Sequence, residues 1–256
     1  MDPMPEELTD RSWRPERAVR ITDALELLLD DIELRLADED PLPPDPLPLG
    51  TGVAALDRVL AGGIHLGTVT LLEADLAAQS DALLYSVARR IDHPVLIDTP
   101  SLLVAARWMM AGSAAVPAVA VKTAHLSSND WRAIVDNIPD LADRDLLVSA
   151  TDSLLGLAHV VATHDADVVL VQDLGRFGPP LPTLAALVRL AAHEGVAIVA
   201  ATTPLGELPH WTSDRVERVL FLDHCLGSKA TLLHPDPLEM LSTVEIDVEC
   251  LTGTVA

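Results

Sequence analysis

From Gly50 onward, short runs rich in β-branched and aliphatic residues alternate with helical stretches, and this alternation restricts the chain to very few architectures. The runs are TVTLLE (68–73), PVLID (94–98), DVVLVQD (167–173), VAIVAAT (196–202) and RVLFLD (218–223). Helical periodicity falls between and around them, at 78–91, 101–111, 127–138, 151–163 and 182–194. Strand, helix, strand in that order predicts a mostly parallel central sheet flanked by helices, because parallel neighbours need a long crossover. The runs are almost wholly apolar, which suits strands buried on both faces. The closing TVEIDVEC (243–250) alternates polar and apolar residues and reads as an antiparallel ribbon at the sheet edge. The expected fold class is α/β.

Ahead of this body, residues 15–37 read as an amphipathic helix. Pro15 suits a first helical position, and Ile21, Leu25, Leu28, Ile32 and Leu36 recur at spacings of four and three. Asp23, Glu26, Asp30 and Glu33 lie on the other face. The Pro-rich DEDPLPPDPLPLG (38–50) is expected to run extended as a semi-rigid spacer. The organisation implied is a disordered tail over 1–14, a helix and linker over 15–49, and one α/β domain over 50–256.

Composition narrows the function. The formal charge is -22, and only Lys122 and Lys229 are lysines among seventeen basic residues. Such a field repels phosphate backbones and anionic membranes, so direct nucleic-acid binding is expected to be weak or absent. The apolar stretch 101–121 is interrupted by Arg107, Gly112, Ser113 and Pro117, which speaks against a membrane span. The N-terminus lacks the basic and apolar regions of a signal peptide, and the two cysteines, Cys225 and Cys250, make no disulfide framework. A cytoplasmic protein is expected.

Several segments, in shared order, resemble the C-terminal motor domain of DnaB-type replicative helicases, within the RecA-like P-loop ATPases. TGVAALDRVLAGGIHLGTVTLLEA (51–74) is similar to that family's entry segment, with a Thr-Gly, a Leu-Asp and a Gly-Gly turn before the first core strand. LSSNDWRAIVDNI (126–138) is similar to its Leu-Ser-x-x-Asp-Trp helix, and DLLVSATDSLLGLAHVV (145–161) to its strand followed by a Thr-Pro-Ser-type helix start. DADVVLVQDLGRF (165–177) falls at the Walker B strand, and GVAIVAATTP and SDRVERVLFLD at the next two. The resemblance implies a RecA-like P-loop fold over roughly 25–256, with residues 15–37 as the linker-type helix.

It also implies where a nucleotide site would stand. A Walker A loop, G-x-x-x-x-G-K-[ST], wraps phosphates with unhindered backbone N–H groups, neutralises them with lysine and holds magnesium by the hydroxyl. LLEADLAAQSDALLYSVARR (71–90) puts Glu73, Ala78, Gln79 and Ser80 at those positions, so only the hydroxyl is kept. Ala78, Gln79, Ser80 and Asp173 are then the vestigial cofactor-binding set. Gln172 stands at the Walker B aspartate with Asp173 one residue late, and one residue turns a strand side chain to the opposite face. In IDTPS (97–101), Asp98 is the carboxylate nearest the catalytic glutamate, with Pro100 about where the acid itself is expected. Thr203 matches the sensor glutamine, Asp223 or His224 the arginine finger, and the terminal Lys-x-Arg pair has no counterpart in VECLTGTVA.

No catalytic residue is therefore expected, and no cofactor, the alternative being ATP and magnesium held through Ser80 and Asp173 with a cation supplied in trans. The clusters His164/Asp165/Asp167 and Asp223/His224/Cys225 read as loop and strand-end residues rather than metal ligands, and Ser101, Ser128 and Ser153 form no triad with His and Asp. GRFGPPLP (175–182) offers Arg176 alone and reads as a turn. The resulting expectation is a pseudo-ATPase of the RecA/DnaB type serving assembly or regulation in DNA replication, repair or maintenance. Its partner would be a protein, either another copy or a DnaB/RecA-like ATPase subunit, engaged through Ile21, Leu25, Leu28, Ile32 and Leu36.

Overall fold

The computed structural model describes residues 47–74, 77–205, 216–222, 229–233 and 243–247. All belong to one compact unit, Pro46–Ala256. The amphipathic segment 15–37, Asp223, His224 and both cysteines lie outside the described residues.

One eight-stranded sheet organises the unit. Its strands are β1 (Val69–Ala74), β2 (Val95–Asp98), β3 (Leu146–Ser149), β4 (Val168–Val171), β5 (Ala197–Thr202), β6 (Val216–Leu222), β7 (Lys229–Leu233) and β8 (Thr243–Asp247). They lie in the order β3-β2-β4-β5-β1-β6-β7-β8. Every pairing from β3 to β6 is parallel, whereas β6 with β7 and β7 with β8 are antiparallel. The 243–250 segment thus supplies the expected antiparallel edge strand, paired with a strand at 229–233 that periodicity alone did not mark.

Alternation along each strand divides the core in two. Val95 and Ile97, Val168 and Leu170, and Ala197, Val199 and Ala201 point to one face. Leu96, Val169 and Val171, and Ile198 and Ala200 point to the other. On the first face pack α1 (Ala54–Val59), α2 (Ala77–Arg90) and α3 (Leu102–Ser113), through Leu56, Leu83, Leu84, Ala105 and Met109. α4 (Ala118–Thr123) and α5 (Ser128–Ala142) follow α3, and α5 packs against it. The second face is covered by α6 (Leu154–Thr163) and α7 (Pro180–Glu194), through Leu157, Val161, Leu184, Leu187 and Ala191.

The segments that carried the family likeness have local physical reasons. In TGVAALD, both the backbone N–H and the hydroxyl of buried Thr51 donate to Asp57 Oδ1, at 2.7 and 2.6 Å, closing the entry turn on α1. Gly63 has φ +142°, and a Cβ there would lie 2.1 Å from the Leu49 carbonyl oxygen, so no side chain fits where the Leu49–Ile64 bridge passes. In LSSND, Ser127 Oγ accepts from Asp130 N–H at 3.1 Å while Asp130 Oδ2 accepts from Ser127 N–H at 2.9 Å, a reciprocal cap at the start of α5. α5 runs past the expected end at 138, through Pro139 to Ala142. Pro139 sits in the last turn, where the single backbone hydrogen bond it removes is least needed.

Candidate functional site

Two polar clusters sit at the carboxyl ends of the parallel strands, the edge at which open α/β sheets place ligands. They occupy opposite faces, as the pleat dictates. Gln172 continues the Val168, Leu170 side of β4 toward α2, while Asp98 continues the Leu96 side of β2 toward the start of α6.

The first cluster is centred on the Gln172 amide. Its Oε1 accepts from the Tyr85 hydroxyl at 3.0 Å and from the Thr99 hydroxyl at 2.5 Å. Its Nε2 donates to Asp81 Oδ2 at 2.9 Å. Two donors on the oxygen leave only one orientation for the amide, with its N–H directed at the carboxylate of α2. The Tyr85 ring, fully buried, stacks on Trp108 of α3 with centroids 5.9 Å apart and an interplanar angle of 8°. Burial pushes the Tyr85 phenol up to about 12, so it stays a neutral donor.

Asp81 titrates unusually. Burial, opposed by the Gln172 N–H and reinforced by the nearby negative charge of Asp173, pushes it from 3.8 up to about 6. Because the folded value lies above the unfolded one, the native state keeps a proton that the unfolded chain releases. The group's contribution to stability is full below about pH 4, is lost as pH rises through 6 and is constant above. Asp81→Asn keeps an oxygen to accept from Gln172 and cannot ionise. The difference in denaturation midpoint, variant minus wild type, is expected to grow between pH 4 and 6 in favour of the variant and then level off. A difference that does not change over that range would contradict this account of Asp81.

The second cluster is centred on Asp98, which has no exposed surface. Asp98 Oδ1 accepts from the Ser149 hydroxyl at 2.8 Å, the Thr151 hydroxyl at 2.9 Å and the Thr151 N–H at 3.1 Å. Oδ2 accepts from Arg176 Nη2 in a buried ion pair. The Arg176 guanidinium lies 4.6 Å over the Phe177 ring, and its Nε and Nη1 are buried without a partner among the described residues. Arg176, expected as a turn residue, is instead the counter-charge of a buried carboxylate. It reaches Asp98 because a 3₁₀ turn, Leu174–Phe177, follows β4.

The vestigial set is spread around the first cluster. Ala78, Gln79 and Ser80 lie in the first turn of α2, with Ser80 buried. Asp173 is exposed and its Oδ1 accepts from Gly175 N–H at 2.9 Å, capping the 3₁₀ turn. Glu73 is buried at the end of β1 and accepts from Leu205 N–H at 3.0 Å, tying down the segment after β5 where Thr203 is exposed. Of the remaining clusters, His164 Nδ1 lies 2.9 Å from the Val160 carbonyl and Asp167 pairs with His93 at 3.1 Å. No group of three metal-ligating side chains occurs among the described residues. Ser153 Oγ accepts from Gly156 N–H as the cap of α6. Sequence reasoning missed Asp81, Tyr85, Thr99, Ser149 and Thr151. Tyr85 had a signal, as the sole tyrosine of a chain with 3% aromatics, set in a helix.

Comparison with known proteins yields little about activity. A protein-family model described as a family of unknown function (DUF7125) matches residues 48–155. No curated protein matches the chain. Among solved structures it is similar to a DnaB-like replicative helicase, in a study that also describes that helicase's interactions with primase. The TM-score is 0.63 at 11% identity, over 89% of this chain and 68% of the other. Among the described residues no helix is long and apolar enough to cross a membrane. At that identity the likeness is one of fold: this chain is an α/β protein with a DnaB-like, RecA-type parallel sheet flanked by helices.

Proposed function

We propose that this chain is a pseudo-ATPase, a non-catalytic relative of RecA/DnaB-type motors that acts as an assembly or regulatory partner. The observation that carries the reading is the state of Asp98. The carboxylate nearest the family's catalytic glutamate is buried, accepts three hydrogen bonds from Ser149 and Thr151, and is ion-paired with Arg176. A general base needs a lone pair within reach of its substrate, and a carboxylate so occupied offers none. The Walker B position supports the same reading, since the amide of Gln172 is locked between Tyr85, Thr99 and Asp81. A neutral amide does not supply the charge that a magnesium site requires.

A fold kept without its chemistry serves as a scaffold for protein contacts. The similar helicase, described together with its interactions with primase, suggests a setting in DNA replication, repair or maintenance. The contact surface proposed is the stripe Ile21, Leu25, Leu28, Ile32 and Leu36, and the partner is a second copy or a DnaB/RecA-like ATPase subunit. Burying one large aliphatic side chain is worth roughly 1.5–3 kcal/mol, so partial burial of the stripe supports a micromolar contact after association costs. Leu25→Asp with Leu28→Asp is expected to leave thermal unfolding unchanged and to abolish the complex. Light scattering reads self-association and co-purification reads a helicase partner. Persistence of both signals would remove the stripe from the account. The competing reading, a divergent ATPase using Ser80 and Asp173, draws on the retained hydroxyl of Ser80 and predicts nucleotide binding that Ser80→Ala removes.

A further inference from the structure

α3 and α4 enclose a groove of ≈ 380 Å³ lined by Val104, Arg107, Trp108, Ala118, Val119 and Lys122. Val104, Arg107 and Trp108 stand on one side of α3 at i, i+3 and i+4, and Val119 and Lys122 project from α4. The walls are apolar and one cation comes from each helix. Val119 and the neighbouring Leu103 are both 66% exposed, so the apolar surface continues beyond the concavity. Trp108 is held in place from behind by its stack on Tyr85, and the groove therefore has a fixed wall before anything enters it.

The charges say what enters. Thirty-nine acidic residues face seventeen basic ones in this chain, yet among the described residues neither Arg107 nor Lys122 makes an ion pair. Two unpaired cations at the margins of an apolar groove, on a protein of net charge -22, complement an apolar ridge with carboxylates beside it. We infer that the α3–α4 groove docks an acidic amphipathic helix of a partner protein, its aliphatic ridge against Val104, Trp108 and Val119 and its carboxylates on Arg107 and Lys122. The exposed extension through Leu103 suits a helix laid across the surface better than a small molecule held in the concavity. This inference is independent of whether the strand ends bind nucleotide.

The test uses the full chain and a fluorescein-labelled helical peptide of Leu and Glu, with Leu on one face, read by fluorescence anisotropy. The overall field of the protein repels such a peptide, so saturable binding requires a local cationic site. Wild type is expected to bind it at micromolar concentration. Arg107→Glu with Lys122→Glu is expected to weaken binding at least about tenfold, and the neutral pair Arg107→Gln with Lys122→Gln to give an intermediate loss. Val119→Asp, which keeps both cations and sits on an exposed position, is expected to weaken it as well. Unchanged circular-dichroism melting of each variant separates docking from folding. No saturable binding by wild type up to about 1 mM, a concentration that corresponds to roughly 4 kcal/mol, would overturn the proposal. So would equal affinity in the charge-reversed protein. Self-association that is lost in the same variants would give the groove to a second copy and overturn it too.

Discussion

Asp98→Ala is expected to cost about 3–5 kcal/mol of folding stability, the range for removing one partner of a buried ion pair. The substitution strands the Arg176 guanidinium, which already has Nε and Nη1 unpartnered, and takes the acceptor from Ser149 Oγ, Thr151 Oγ1 and Thr151 N–H. Those groups belong to β2, to the β3–α6 turn and to the 3₁₀ turn after β4, so one carboxylate holds three strand ends together. A carboxylate poised as a general base behaves in the opposite way, because removing it relieves a strained polar site and leaves the fold as stable or more so. The sign of the change therefore distinguishes a structural from a catalytic Asp98. Removing the orphaned cation as well, in Asp98→Ala with Arg176→Met, is expected to cost less than the two single changes added together, by more than about 0.5 kcal/mol. Chemical denaturation of the four proteins measures both effects. A change within about 1 kcal/mol of wild type, the ordinary range of single substitutions, would show that Asp98 is not the hub described.

What was legible in the sequence and what was not follow one physical division. The parallel strands were readable because burial on both faces makes each an apolar run, as in VVLV of β4. The helices were readable from their periodicity, and the start of α5 from Ser127 and Asp130 at capping spacing. Two short elements escaped. α4 is six residues long inside an apolar stretch that has no polar face to betray its period, and β3 carries only LLVS. At the strand ends, spacing placed Gln172 on the face opposite Asp173, and the geometry agrees: Gln172 faces Asp81 and Asp173 caps its own turn. The partnership of Asp98 with Arg176 spans 78 residues and that of Gln172 with Asp81 spans 91. Nothing local announces contacts of that range, since they arise only when the sheet order brings β2, β4 and α2 side by side.

Calorimetric titration of the intact protein with ATP and magnesium tests the proposed loss of chemistry most directly. P-loop affinity comes from backbone N–H groups wrapping the phosphates, a lysine beside them and a metal held by hydroxyl and carboxylate. Here Ala78 and Gln79 replace the glycine and the lysine, and Glu73 is drawn into the body to hold Leu205 N–H. The carboxylates of Asp81 and Asp173 stand close enough for the charge of one to raise the other's affinity for protons. A phosphate added beside either meets like charge, and two unit charges about 4 Å apart repel by about 4 kcal/mol at an effective dielectric constant of about 20. That repulsion has no lysine to oppose it. The expected result is a flat titration to millimolar ATP, with no hydrolysis above the buffer rate and no change on Ser80→Ala. A micromolar dissociation constant that Ser80→Ala abolishes would contradict the account and make this chain a working, divergent ATPase.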